Sequence, residues 1–247
     1  KIPKHLLSSN DPIFEFNKQI IDATVDLAVA YKPNIAFYEA LGPKGWESLQ
    51  KTLDYIPKDI FTIADAKRGD IGATAQQYAK EAFDRYGADA VTLSPFMGFD
   101  TIEPYLAYPD KGVFLLCRTS NAGGSDLQAR RLADIEGQPM LYEHLAQLAN
   151  GPWNTNGQLG LVVGATFPQE IERVRQLAPH LPLLIPGVGA QGGDAKATVK
   201  AGWGLNSPII VNSSRAILYA SSGKDFAEKA RAAALEARDL LEASKGS

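Results

Sequence analysis

Asp65, Lys67 and Asp70, in the segment Asp65-Ala-Lys-Arg-Gly-Asp-Ile-Gly72, are the residues whose types and spacing most readily do chemistry. Side chains alternate along a strand, so Asp65 and Lys67 share a face, with Asp70 in the loop that follows. The segment continues the apolar run Ile60–Ala64. On its own, a D-x-K-x-x-D string reads first as a solvated charge cluster ahead of a helix. An aspartate and a lysine pointing inward from a strand end are costly to bury unless paired, and such charges are retained at functional sites. Lys32, in Ala30-Tyr-Lys-Pro33, reads alone as a surface lysine. Placed on a neighbouring strand beside Asp65, it completes an alternating Lys–Asp–Lys–Asp array. Such an array keeps the lysines protonated and the carboxylates ionised.

A second signal is Pro186-Gly-Val-Gly-Ala-Gln-Gly-Gly193, which contains Gly189 and Gln191 and lies between a predicted strand and a predicted helix. Close glycines let backbone N–H groups converge on an anion, and the helix N-terminus adds its dipole. A glycine-rich turn without a ligand fits the same residues. The last predicted strand runs into Asn212-Ser-Ser-Arg215. Phosphate sites in barrels frequently form from the loops after the last two strands. Ser214 and Arg215 lie there, and an arginine offers a fork of donors to phosphate oxygens. Taken together, the two segments point to a phosphate site. In Arg118-Thr-Ser-Asn121, Ser120 either bonds a substrate ring or amide or serves ordinary turn chemistry. Phe96-Met-Gly-Phe99 could wall an apolar pocket, but reads first as packing beneath the loop, and Thr74 reads as a helix cap.

The elements that must position these residues alternate. Short β-branched runs are followed by longer amphipathic stretches, the pattern of a parallel α/β sheet. Spacing predicts strands over 27–32, 59–65, 88–94, 112–118, 158–164, 183–186 and 208–212. It predicts helices over 11–29, 46–55, 74–86, 100–108, 140–150, 168–177, 193–201 and 225–241. Thr74 with Gln77, and Asp100 with Glu103, have the spacing of capping boxes. The loop 119–139 exceeds usual connection lengths, as lids and binding loops do. The expected fold is a (β/α)8 TIM barrel in a single domain over residues 1–247, because a barrel of this type needs roughly 250 residues. Only seven strands are counted and a helix leads the first, so the expectation includes a first strand absent from the sequence. An open doubly wound sheet fits less well, since candidate residues fall at the ends of many strands.

Composition excludes several functions. The chain has 247 residues, a net charge of −3, 45% hydrophobic and 21% charged residues. With no basic run of five or more, it offers neither a nucleic-acid nor an anionic-membrane surface. No apolar run reaches membrane-spanning length and no signal peptide opens the chain. The single cysteine, Cys117, excludes an internal disulfide framework and fits a reducing cytoplasm. It lies in an apolar run and reads as buried filler. His5, His144 and His180 lack metal-ligand spacing.

Across nearly its whole length the chain resembles the orotidine 5′-phosphate decarboxylase family, in its Asp-x-Lys-Arg-x-Asp-Ile-Gly branch. The resemblance rests on several motifs in order: Tyr31-Lys-Pro, Phe37-Tyr-Glu-Ala-Leu-Gly, Asp65-Ala-Lys-Arg-Gly-Asp-Ile-Gly-Ala-Thr74, Ser94-Pro-Phe-Met-Gly-Phe-Asp, Arg118-Thr-Ser-Asn, Pro186-Gly-Val-Gly-Ala-Gln-Gly-Gly and Asn212-Ser-Ser-Arg. It implies a cofactor-free, metal-free carbon–carbon lyase that converts the small molecule orotidine 5′-phosphate to uridine 5′-phosphate and carbon dioxide. It implies Lys67 as proton donor to C6, within a catalytic array of Lys32, Asp65, Lys67 and Asp70. It also implies a homodimer with shared sites, Asp70 and Thr74 reaching into the partner's. Ser120 would contact the pyrimidine, Gln191 would span phosphate and base beside Gly189, and Ser214 and Arg215 would grip the phosphate. The family's first strand normally carries Gly-Leu-Asp-Pro, which is not found here. Two other readings compete: a metal-dependent sugar-phosphate decarboxylase of the same barrel group, and a nucleotide-phosphate binding protein without catalysis.

Overall fold

The computed structural model of the chain describes residues 1–188 and 194–246. Asp11 opens α1 (Pro12–Thr24): its carboxylate accepts from the Phe14 N–H at 3.0 Å, and Pro12 supplies a preset φ at the first helical position. The chain then runs through β1 (Ala30–Tyr31), α2 (Ala36–Glu39), α3 (Pro43–Tyr55), β2 (Phe61–Arg68) and α4 (Gly72–Lys80), which continues into a π-helical turn over Glu81–Arg85. Next come β3 (Ala90–Leu93), α5 (Glu103–Leu106), β4 (Gly112–Arg118), α6 (Gly124–Leu127) and α7 (Leu141–Asn150). The chain ends with β5 (Leu159–Val163), α8 (Pro168–Leu177), β6 (Leu183–Pro186), α9 (Ala195–Gly202), β7 (Ile209–Asn212), α10 (Arg215–Leu218) and α11 (Phe226–Ala243).

The seven strands pair in chain order, β1 to β7, and every pair is parallel. A doubly wound sheet reverses strand order at a switch point. This sheet does not, and it curls into a nearly closed barrel. The expected α/β barrel and its seven-strand count both hold, with no ladder between β7 and β1 among the described residues.

Strand alternation sorts the core into two layers. Ile63, Ala90, Phe114, Val162 and Leu184 fill the barrel interior. Ala64, Val91, Leu115, Leu161 and Ile185 face outward and bury against Leu49, Leu53, Ala79, Ile171 and Val174 of the surrounding helices. Gly160 is an interior position without a side chain because the Phe114 ring occupies the space, 2.7 Å from where a Cβ would stand. Each fully buried aliphatic or aromatic side chain contributes about 1.5–3 kcal/mol. The barrel therefore holds its strand ends on one rigid rim.

Several local expectations need correction. The Thr74–Gln77 capping box does not form: α4 starts at Gly72 after Ile71, and Thr74 is exposed within the helix. Gly72 has φ +56°, which lets the chain turn from β2 into the helix three residues earlier than a threonine cap at position 74 would. The Asp100–Glu103 box also fails. A 3₁₀ turn over Phe99–Thr101 precedes the short α5, and neither carries a side-chain cap. The predicted first helix is too long, ending at Thr24, and β1 keeps only two residues of 27–32.

Candidate active site

β2 runs past its predicted end, and this carries the charged residues into the barrel. Asp65 stays in the sheet: its N–H donates to the Pro33 carbonyl at 3.0 Å, and its carbonyl accepts from the Ile35 N–H at 3.3 Å. This pairing carries the β1–β2 ladder beyond Pro33 and brings Lys32 alongside. The Lys32 Nζ lies 2.5 Å from Asp65 Oδ2, and the Lys67 Nζ donates to Asp65 Oδ1. One carboxylate, 6% exposed, thus joins two ammonium groups. Burial alone raises the Asp65 pKa; the charges and hydrogen bonds of Lys32 and Lys67 outweigh it and hold the carboxyl below its usual range. Asp65 is therefore ionised across the neutral range, a fixed negative charge between the two lysine side chains.

The outward face of the same segment is clamped. Arg68 Nη2 donates to Glu39 on α2 at 2.8 Å and to Glu81 at 3.1 Å, and the guanidinium stacks 4.7 Å from the Tyr78 ring centroid. Asp70 behaves differently from Asp65. Its carboxylate accepts from the Ile71 N–H at 2.8 Å, and among the described residues no cation pairs with it. The structure therefore assembles Lys32, Asp65 and Lys67 within one chain and leaves Asp70 outside that cluster. Thr74 lies beyond Asp70, exposed on α4.

On the far side of the rim, Arg118 is buried at the end of β4 and fixes the start of the long loop. Its Nε lies 2.8 Å from Glu170 Oε2 on α8, and its Nη2 donates to Ser125 Oγ at 3.2 Å. Gln128 Oε1 accepts from the Thr119 N–H at 2.8 Å. Ser120, next in the chain, packs its backbone against Gly164 so closely that a Cβ there would lie 2.8 Å from the Ser120 nitrogen. β7 ends at Asn212 on the same rim, and Ser214 and Arg215 begin α10, both exposed. Among the described residues the Arg215 guanidinium has no ion-pair partner, so it is free to meet an anion. Gly189 and Gln191 lie outside the described residues. Cys117 is buried, and burial pushes its thiol pKa well up, so it is inert filler as expected.

Sequence reasoning missed Thr92 and the Arg68 clamp. Thr92 Oγ1 donates to Asp65 Oδ1 at 3.1 Å and accepts from the Lys67 N–H at 3.0 Å. Its only sequence signal is its place on the inward face of β3, two residues after Ala90. Arg68 has the alternation signal of an outward residue, but its carboxylate partners come from distant helices.

The family model described as "Orotidine 5′-phosphate decarboxylase / HUMPS family" matches residues 12–231. An orotidine 5′-phosphate decarboxylase of Variovorax paradoxus is 63% identical over 248 residues, covering 99% of this chain and 90% of the relative. One from Verminephrobacter eiseniae is 64% identical over 246 residues, covering 99% and 90% respectively. The solved structure of Leishmania donovani OMP decarboxylase superposes with a TM-score of 0.86 at 43% identity, covering 95% of this chain and 88% of that one. With a barrel rim that gathers Lys32, Asp65 and Lys67, and matches of this extent, the chain belongs to the orotidine 5′-phosphate decarboxylase / HUMPS family.

Proposed function

We propose that this chain decarboxylates orotidine 5′-phosphate to uridine 5′-phosphate and carbon dioxide in pyrimidine nucleotide biosynthesis, with its own side chains supplying the catalysis. The observation that carries this reading is the buried Asp65 carboxylate shared by the Lys32 and Lys67 ammonium groups at the strand ends. Relatives above 60% identity that bear the decarboxylase name support the substrate.

The chemical difficulty is the electron pair. When the C6–carboxylate bond breaks, carbon dioxide leaves and both electrons remain on an sp² carbon with little resonance relief. Fixed positive charge placed where that carbanion develops lowers the barrier without reorganisation. The Lys67 ammonium supplies that charge and then transfers a proton from Nζ to C6, completing uridine 5′-phosphate. Lys67 is left as the amine and, with a side chain 47% exposed, regains a proton from water. Asp65 aims Lys67 through their ion pair, and Lys32 compensates the charge on Asp65.

The remaining roles follow the rim. Arg215, with the Ser214 and Arg215 N–H groups, holds the 5′-phosphate, joined by Gly189 and Gln191, with Gln191 also reaching towards the base. Ser120 contacts the pyrimidine. Phosphate binding far from C6 organises the charges, so its energy raises catalysis as well as affinity. Asp70, unpaired with Lys67 in its own chain, and the exposed Thr74 suit a homodimer in which each reaches the partner's site. The protein works without metal or organic cofactor. Both Asp65 oxygens are engaged by ammonium groups, which disfavours the metal-dependent sugar-phosphate reading. A single buried thiol suits the reducing cytoplasm. No described helix is long and apolar enough to cross a membrane.

The test is an ultraviolet assay of orotidine 5′-phosphate loss with coupled carbon dioxide detection, run with and without chelator. Turnover that survives the chelator supports the reading. Binding of uridine 5′-phosphate without turnover contradicts it.

A further inference from the structure

Thr92 is 1% exposed in the middle of β3 and faces an irregular stretch of β2. The register runs Ala64↔Val91 and then Arg68↔Leu93, so Asp65, Ala66 and Lys67 on β2 stand opposite Thr92 alone. Such a bulge re-aims side chains, and bulges concentrate near active sites. Within it, Lys67 has φ +48°, a left-handed conformation uncommon for a residue with a Cβ. Strained conformations of this kind persist only where their surroundings over-determine them.

Thr92 provides part of that determination through a single hydroxyl. The oxygen accepts the Lys67 N–H at 3.0 Å, and the proton goes to Asp65 Oδ1 at 3.1 Å. One group thus ties the backbone of the lysine to the carboxylate that holds its ammonium. The Thr24 and Thr52 hydroxyls donate to carbonyls one helical turn back, and among the described residues Thr101 and Thr198 have no hydrogen-bond partner. Buried Thr62 also pairs its hydroxyl with a carboxylate and a backbone N–H, but both belong to Asp89, away from the lysines, so Thr92 differs in the residues that it joins. Both partners of the Thr92 hydroxyl belong to the charged segment of β2.

We propose that Thr92 is a positioning residue for the decarboxylation: its hydroxyl fixes the left-handed backbone at Lys67 and the orientation of Asp65, so that the ammonium meets C6. The aiming at C6 rests on the function proposed above, whereas the bond to Asp65 can be tested without turnover.

Thr92→Val keeps the shape and removes the hydroxyl; Thr92→Ser restores it. Losing a hydrogen bond to a charged group predicts a kcat about ten- to hundredfold lower for Thr92→Val. KM stays within about threefold, as expected for an interaction that matters mainly in the transition state. Thr92→Ser recovers most of the loss, and thermal midpoints are recorded for each variant. Thr92→Ala, judged by the same criteria, replaces Thr92→Val if the latter does not fold. Unchanged kcat in Thr92→Val, or a loss that Thr92→Ser fails to recover, overturns the proposal while leaving the function intact. A wild-type protein without turnover refutes the function instead. The inference is then decided by ¹³C NMR titration of the Asp65 carboxyl, whose pKa rises in Thr92→Val and not in Thr92→Ser. An unmoved titration in Thr92→Val overturns it.

Discussion

Replacing Asp65 by asparagine removes one charge and leaves two ammonium groups facing each other, and the structure sets the cost. The Lys32–Asp65 pair is nearly dry, with side chains 16% and 7% exposed. Losing one partner of a buried pair costs about 3–5 kcal/mol, and the slight exposure of Lys32 places this one near 3. The Lys67 side chain is 47% exposed, so solvent screening reduces its share to about 0.5 kcal/mol. The sum of about 3.5 kcal/mol, at about 2–4 °C per kcal/mol for a chain of this size, lowers the thermal midpoint by about 7–14 °C. Lys67 also loses its anchor, and about 3 kcal/mol of misplaced charge corresponds to a kcat at least about a hundredfold lower. Acid provides the internal control. The folded Asp65 pKa lies below the unfolded one, so its contribution is complete above the unfolded value of about 4. It is lost as pH falls through the folded value. Calorimetric scans from pH 7 to pH 3 should therefore show the gap between wild type and Asp65→Asn narrowing below about pH 4. A midpoint within about 2 °C of wild type at pH 7, or a gap that persists in acid, would refute this assignment of Asp65.

Two further outcomes test other parts of the site. Arg215→Ala should weaken uridine 5′-phosphate binding in calorimetry by about ten- to a hundredfold and spare uridine, because a guanidinium–phosphate bond contributes about 1.5–3 kcal/mol; equal loss for both ligands excludes a phosphate role. Hybrid dimers of Lys67→Ala and Asp70→Ala protomers should regain activity that neither parent dimer has, up to one intact site in two. Absence of recovery in proven hybrids rules out sharing through Asp70.

The regular part of the fold was legible because burial on two faces leaves a plain mark in the sequence. β4, β6 and α8 begin and end where their apolar runs and Pro168 predict. The irregular part was not, and it coincides with the site. The alternating charges after Ala64 resemble the end of a strand, yet β2 continues to Arg68 by absorbing a bulge that only its neighbour β3 reveals. The partnership of Lys32 with Asp65 was legible from strand position, since both sit at strand ends on inward faces. The separation of Asp70 from Lys67 was not legible from spacing, which places them three residues apart and leaves open where each side chain points. Thr92 was illegible for a different reason: a threonine in Ala-Val-Thr-Leu is ordinary strand composition, and its role depends on two atoms of another strand. The failed caps at Thr74 and Asp100 show that spacing without backbone conformation does not fix a helix start. At Gly72 a positive φ decided it instead.

The central claim is that the Lys67 ammonium both stabilises the carbanion and protonates C6. Its most direct test is single-turnover decarboxylation by Lys67→Ala, measured beside calorimetric binding of uridine 5′-phosphate to the same preparation. Lys67→Ala should release no detectable carbon dioxide and still bind the nucleotide. Near-normal turnover by that variant would contradict the claim.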